Sequence, residues 1–377
     1  MDPARASPRE RSWVATMAGT PTPEGVVLAH ATGTRPRTGA ALVDRESREE
    51  AEGLHLAPGA TRAHGAGRRA RAEEPDPLRT CFERDRDRIL HSSAFRRLAG
   101  KTQVFVFPRD HQRTRLTHAL EVAQVATAVA RATGLNVALT EAIALGHDCG
   151  HGPGGHASED AFSPFLPGGY HHAIWGADVA LVALNLCAET LDGIRHHSWS
   201  LESPFTPEGA VVSWADRCAY CAHDLEDAST VGMVSPDEFP AEVAEVAGRT
   251  RSSQLRCFVN ALVDCITETG EIGMRQPYAG ALAAFREFNY ERIYMSPASL
   301  AQGQAVVAIL GALVEYFAEN PGRMPARPDA GDDSGTPLRQ AITYVAGMTD
   351  RFAFSAAVEL LGWAPERLPR GIDATGV

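Results

Sequence analysis

Apolar residues recur at helical spacing over most of the chain, and runs that alternate with period two are hardly visible. The clearest stripe is Leu116, Ala119, Leu120, Ala123, Ala126 and Val129, at three- and four-residue steps, which predicts one amphipathic helix ending at Gly134. A second helix is predicted over Thr140 to Cys149. Gly150, Gly152, Pro153, Gly154 and Gly155 then force a turn. Further helical segments are expected near Ala173 to Ala188, Glu189 to His197, Ala210 to Ser229, Pro240 to Thr267, Ala281 to Phe288, Ser299 to Glu319 and Leu338 to Leu361. The fold class is therefore all-α, a helical core followed by additional C-terminal helices. Residues 1–46 are rich in Ala, Arg, Pro, Thr and Gly without apolar periodicity, and are predicted to be a disordered tail. Residues 47–370 form the folded part, with a core over about 110–230 and a C-terminal helical part over about 240–365. Asn320 to Pro337, with its prolines, glycines and aspartates, reads as a mobile surface loop.

Composition narrows the class. The chain has 377 residues, 44% of them hydrophobic and 22% charged, enough for a sizeable core. Its formal net charge of -11 disfavours a constitutive nucleic-acid binder. Seven cysteines at 81, 149, 187, 218, 221, 257 and 265 form no disulfide-like framework, so a reducing compartment, by default the cytoplasm, is expected. No export signal is visible, and the apolar run near Val306 to Leu313 is far shorter than the ~18 residues of a membrane span. The pair Cys218 and Cys221 lies inside a helical pattern without a partner pair, so buried cysteines are expected there rather than zinc ligands.

Chemistry concentrates where the second helix meets the glycine-rich turn. His147 and Asp148 can reach one cation from neighbouring directions, and His118 and Asp216 are the candidates that complete a set of two imidazoles and two carboxylates. Mixed nitrogen and oxygen donors with open positions suit Mn, Mg, Co or Fe better than a closed structural zinc. His151 and His156 fall on the turn beside this set and are candidates for proton transfer. Glu159, three residues beyond His156, can orient that imidazole or cap a helix. Asp216, Tyr220 and Asp224, at i, i+4 and i+8, share one helix face about 12 Å long, roughly the reach from an α-phosphate to the far side of a sugar.

The ordered blocks that include Arg79 to Ser92, Ala94 to Leu98, Arg113 to His118, Leu120 to Gln124, Glu141 to Asp148, Ala219-Tyr220, His223 to Asp227 and Ala346 to Arg351 resemble the HD-domain phosphohydrolases, and among them the deoxynucleoside triphosphate triphosphohydrolases. The resemblance runs from about Ser47 onward. It implies hydrolysis of a dNTP to deoxynucleoside and inorganic triphosphate, with a divalent metal on His118, His147, Asp148 and Asp216 and catalytic roles for His151 and His156. It also implies sugar contacts from Tyr220, Asp224 and Gln103, phosphate contacts from Arg115 and Arg217, a substrate-binding place for His172, and a homo-oligomer. Tyr294 is a candidate for stacking on the base or for core packing. Cys149 stands where Leu is usual and Gly154 where Phe is usual, while His171, His196 and His197 are left without a role. The alternatives are an HD-type nucleotidase or phosphodiesterase and a catalytically silent dNTP sensor.

Overall fold

The computed structural model describes residues 7–108, 110–325 and 335–371. Among them lie sixteen α-helices and a single two-stranded sheet, as the helical periodicity predicts. Residues up to Val43 form one unit and Asp44 onward another. In the first, helix α1 (Pro8–Thr16) is closed by a Ser7/Glu10 capping box, and Thr20–Pro21 pairs antiparallel with Val27–Leu28. This stretch, expected to lack structure, therefore carries local elements, but none of its described residues is buried. Local hydrogen bonds alone account for them.

The second unit begins with α2 (Arg45–His55), α3 (Cys81–His91) and α4 (Ser93–Arg97). Next come the two helices that the sequence marks most clearly, α5 (Arg115–Thr133) and α6 (Val137–Gly146). Thr114 caps α5 and Gly134 ends it with φ 70°, a left-handed conformation that glycine takes without strain. Helix α6 starts three residues before Thr140 because Asn136 caps it, accepting from Leu139 N. It stops at Gly146, so His147 and Asp148 stand just past its end.

The expected helix over 173–188 is not continuous. A short α8 (His172–Trp175) passes into a π turn over 176–180 and a 3₁₀ turn over 182–184 before α9 (Ala188–Arg195). At the break the backbone packs closely on the glycine-rich loop, where a Cβ at Gly150 would lie 2.3 Å from Gly176 N. Helix α10 (Pro207–Thr230) is the central strut and packs on α5, α6 and α9, and on α12 (Arg251–Thr269) and α13 (Tyr278–Asn289). The span expected as one helix from Pro240 to Thr267 breaks after α11 (Ala241–Ala247), where Gly248 takes φ 78°.

These elements enclose one apolar cluster. A second forms where α14 (Pro297–Glu319) packs on α7 (Ala157–Phe162), α15 (Pro337–Ala346) and α16 (Asp350–Leu361). The segment expected as one helix from Leu338 to Leu361 is thus two, separated at Gly347–Thr349, with Thr349 capping α16. Among the described residues α14 alone is long and apolar enough to cross a membrane, but Val306, Ile309, Leu310, Leu313, Val314 and Phe317 are spent on the second cluster. Of the loop predicted over Asn320 to Pro337, residues 326–334 lie outside the described residues.

Candidate active site

A cavity of about 810 Å³ opens between the two apolar clusters. Its walls come from α5, the loop over 148–156, α8, residues 197–200, α10, the π turn over 290–294 and α14. Of the residues singled out from sequence, Gln103, Arg115, His118, Asp148, His151, His156, His172, Asp216, Arg217, Tyr220, Asp224 and Tyr294 line it.

At its floor the structure brings His118, His147, Asp148 and Asp216 together. His118 Nε2 lies 3.0 Å from Asp216 Oδ1, and His147 Nε2 lies 3.5 Å from Asp148 Oδ1 and 3.7 Å from Asp216 Oδ1. His147 Nδ1 meets the Ala144 carbonyl at 2.6 Å, and a carbonyl can only accept, so Nδ1 carries the proton and Nε2 offers a lone pair. That lone pair is buried without a hydrogen-bond partner and faces two carboxylates. An arrangement of acceptors alone is stable only around a proton or a cation. Burial would raise the Asp148 carboxyl, but the Arg115 guanidinium foremost, with the hydrogen bond from His151, outweighs it and holds the group well below the usual carboxylate range. These residues could hold a divalent metal.

His197, left without a role in the sequence, joins the cluster. It falls with His147 and Asp216 in one group close enough to share an ion, and its Nε2 is 3.1 Å from His172 Nε2. No local signal separates it from His196 beside it, which turns instead to Asp192 at 2.7 Å.

Above the floor, His151 stacks on His172 with centroids 3.7 Å apart and meets His156 edge to face at 4.9 Å. Burial first, then the charge of Arg115, lowers the pKa of His151 far below the ordinary imidazole value, and the same causes lower that of His156. His151 is buried, whereas the His156 ring is walled by protein but open to the cavity. Glu159 does not orient His156 as expected. It accepts from the backbone N of His172 at 3.1 Å and bonds His172 Nδ1, thirteen residues away, because the turn after α7 brings His172 back over it. It also makes no side-chain cap to α7.

The far end of the cavity is built on α10. Asp224 is buried and receives the Tyr294 hydroxyl at 2.5 Å on Oδ2, while its Oδ1 has no partner. Burial pushes its carboxyl up to about 7, with the Tyr294 hydrogen bond opposing. Tyr294 packs against the first apolar cluster, lines the cavity and holds Asp224 through its hydroxyl. The Tyr220 hydroxyl accepts from Arg286 Nε at 3.0 Å, a cation on α13 that the sequence gives no reason to select. Arg217 lies with its guanidinium 3.3 Å from the centroid of the Trp199 ring, and Trp199 is itself held through Nε1 to Ser213 O at 3.0 Å. Gln103 lines the cavity and has a buried Oε1 without a partner. Arg115 pairs with Asp148 at 2.8 Å and reaches His156 Nδ1 at 3.5 Å.

The two departures in the turn have local consequences. Gly154 takes φ 71°, and a Cβ there would stand 2.4 Å from Val306 Cγ1, so α14 occupies the space a larger side chain would need. Cys149 is buried against Leu145 O, and burial pushes its thiol up to about 12. All seven cysteines are free, and Cys218 and Cys221 are buried in α10, as expected.

The helical core, the H…HD…D cluster and the C-terminal helices together define an HD-domain phosphohydrolase. An HD domain matches residues 115–221 and a phosphohydrolase-associated domain matches residues 272–358. Within that class the chain belongs to the deoxyguanosinetriphosphate triphosphohydrolase-like proteins. One of that description from Caldanaerobacter subterraneus subsp. tengcongensis is 39% identical over 316 residues, 82% of this chain and 93% of the relative. Another, from Clostridium perfringens, is 38% identical over 328 residues, 82% of this chain and 94% of the relative. A solved structure of a hypothetical protein from Aquifex aeolicus aligns with a TM-score of 0.43 at 15% identity, covering 75% of this chain and 69% of that one.

Proposed function

We propose that the chain hydrolyses 2′-deoxynucleoside triphosphates at the α-phosphorus, yielding a deoxynucleoside and inorganic tripolyphosphate. The observation that carries this reading is a single cavity with the His/Asp cluster at one end and Tyr220 with Asp224 at the other, on one face of α10. The i, i+8 spacing of Asp216 and Asp224 sets the ends about 12 Å apart, the span from an α-phosphate to the far side of a deoxyribose.

His118, His147, Asp148 and Asp216 would hold a divalent ion, and the buried, partnerless Nε2 of His147 fits that role. When bound, the ion supplies polarisation of the phosphoryl oxygen and acidification of water, and the mixed donor set suits Mn, Mg, Co or Fe. Arg115 and Arg217 bind phosphate oxygens, and His172 faces the same end. The lowered pKa values of His151 and His156 keep both imidazoles neutral, able to take a proton from the attacking water and return it to O5′ as the phosphorus–O5′ bond breaks. Glu159 fixes the His172 ring. Tyr220 closes over C2′, while Asp224 and Gln103 hold the 3′ hydroxyl, leaving a 2′ hydroxyl without a partner. Assembly into a homo-oligomer is part of this proposal and is read by light scattering.

The test is a screen of the four dNTPs and four NTPs with Mn, Mg, Co and Fe, separating nucleoside, monophosphate and phosphate products. Tripolyphosphate from dNTPs is expected. Monophosphate or orthophosphate would instead indicate a nucleotidase or phosphodiesterase, and tight dNTP binding without turnover a sensor.

A further inference from the structure

The block Ala346 to Arg351 touches no part of the cavity, yet it grips the loop that carries His151 and His156. Asp350, the first residue of α16, is 3% exposed and accepts from three donors. Its Oδ1 takes Gly154 N at 2.8 Å, and its Oδ2 takes Thr102 N at 3.0 Å and Thr102 Oγ1 at 2.5 Å. Lys101, also 3% exposed, donates Nζ to the His151 carbonyl and to the Ala346 carbonyl at 3.0 Å. One end of this pair holds the backbone of His151 and the other holds Gly154.

The loop needs such a hold. Gly150, Gly152, Gly154 and Gly155 give it far more conformational freedom than an ordinary turn, and two of them, Gly154 and Gly155, sit at positive φ. Neither His151 nor His156 can keep a fixed place relative to the His/Asp cluster through the loop's own backbone preferences. Val306 of α14 closes over Gly154 and Thr102 O over Gly155, so the loop is held between residues 101–102 and the C-terminal helices.

We propose that Asp350 and Lys101 are positioning residues for the two loop histidines, and that through them α16 sets the reaction rate without lining the cavity. This rests on the roles given above to His151 and His156. Asp350→Asn keeps size and one acceptor oxygen but cannot serve Gly154 and Thr102 at both ends. A misplacement on the order of 1 Å in a catalytic group can lower turnover about 100-fold. Asp350→Asn is therefore expected to keep wild-type metal content and helical circular dichroism, to change the KM for dGTP by less than about threefold, and to lose roughly tenfold to 100-fold in kcat. Amide exchange in the peptide spanning residues 150–156 should quicken in the variant while α5 and α10 stay protected. A folded Asp350→Asn protein with wild-type kcat and wild-type exchange in that peptide would overturn the proposal. Should the variant not fold, exchange in the wild-type protein decides. Slow exchange at Gly154 supports the brace, and exchange as fast as at the exposed Gly168 contradicts it. Exchange is read without substrate, so it judges the brace whether or not dNTP hydrolysis is the activity.

Discussion

Replacing Asp224 by Asn removes a charge that the fold holds against its own interest. The carboxyl is 3% exposed, one oxygen has the Tyr294 hydroxyl and the other has nothing. Burial lifts its pKa from 3.8 to about 7. The folded state thus binds the proton more tightly than the unfolded one, so the group's contribution is fully present below pH 3.8 and is lost as pH rises through about 7. A displacement of this size corresponds to on the order of 4 kcal/mol once the group is ionised in both states, of which roughly 2 kcal/mol is already lost by pH 5. Asn keeps an acceptor for Tyr294 and never ionises. In chelator-treated protein, Asp224→Asn should therefore raise Tm by roughly 4 °C at pH 5 and roughly 8 °C at pH 8, taking about 2 °C per kcal/mol for a chain of this length. The same variant should lose about tenfold to 100-fold in kcat/KM for dGTP, because a sugar hydroxyl then donates to a neutral acceptor. A gain in stability with a loss in activity marks a group kept for function. Differential scanning calorimetry at the two pH values reads the effect. A Tm offset from wild type that is equal at pH 5 and pH 8, or negative at pH 8, would refute the reasoning.

Removal of His147 or Asp216 by alanine should lower bound Mn, measured by plasma mass spectrometry, well below the wild-type stoichiometry; full occupancy in both variants would remove them from the ligand set. His151→Ala and His156→Ala are expected to retain metal and lose about 100-fold or more in kcat, the usual scale for a placed acid or base, and near-normal turnover would count against that role. Trp199→Leu takes away the ring under Arg217, a contact of about 0.5–2 kcal/mol, and should raise the KM for dGTP about two- to thirtyfold with kcat nearly unchanged; an unchanged KM would show that Arg217 needs no such support.

Much of this site is legible in the sequence because its parts are local. The stripe from Leu116 to Val129 with Gly134 behind it defines α5, and His118 rides on that helix. His147 and Asp148 stand where α6 must yield to glycines, and the i, i+4, i+8 spacing of Asp216, Tyr220 and Asp224 survives intact on α10. What escapes is made by residues distant in the chain. Glu159 has His156 three positions away, yet it bonds His172, because the fold returns the chain there. Arg286 reaches Tyr220 across 66 positions and Asp350 reaches Gly154 across 196, with no periodicity to announce either. The breaks at Gly248 and Gly347–Thr349 escape because the apolar pattern runs through them, while glycine backbone and a threonine cap end the helices.

Hydrolysis of dGTP in ¹⁸O-enriched water tests the central claim most directly, since it reports which atom the water attacks. Attack at the α-phosphorus with cleavage to O5′ predicts one labelled oxygen in the tripolyphosphate and none in the deoxyguanosine. Label in the 5′ hydroxyl of the nucleoside, or release of labelled orthophosphate or pyrophosphate in place of tripolyphosphate, would contradict the account.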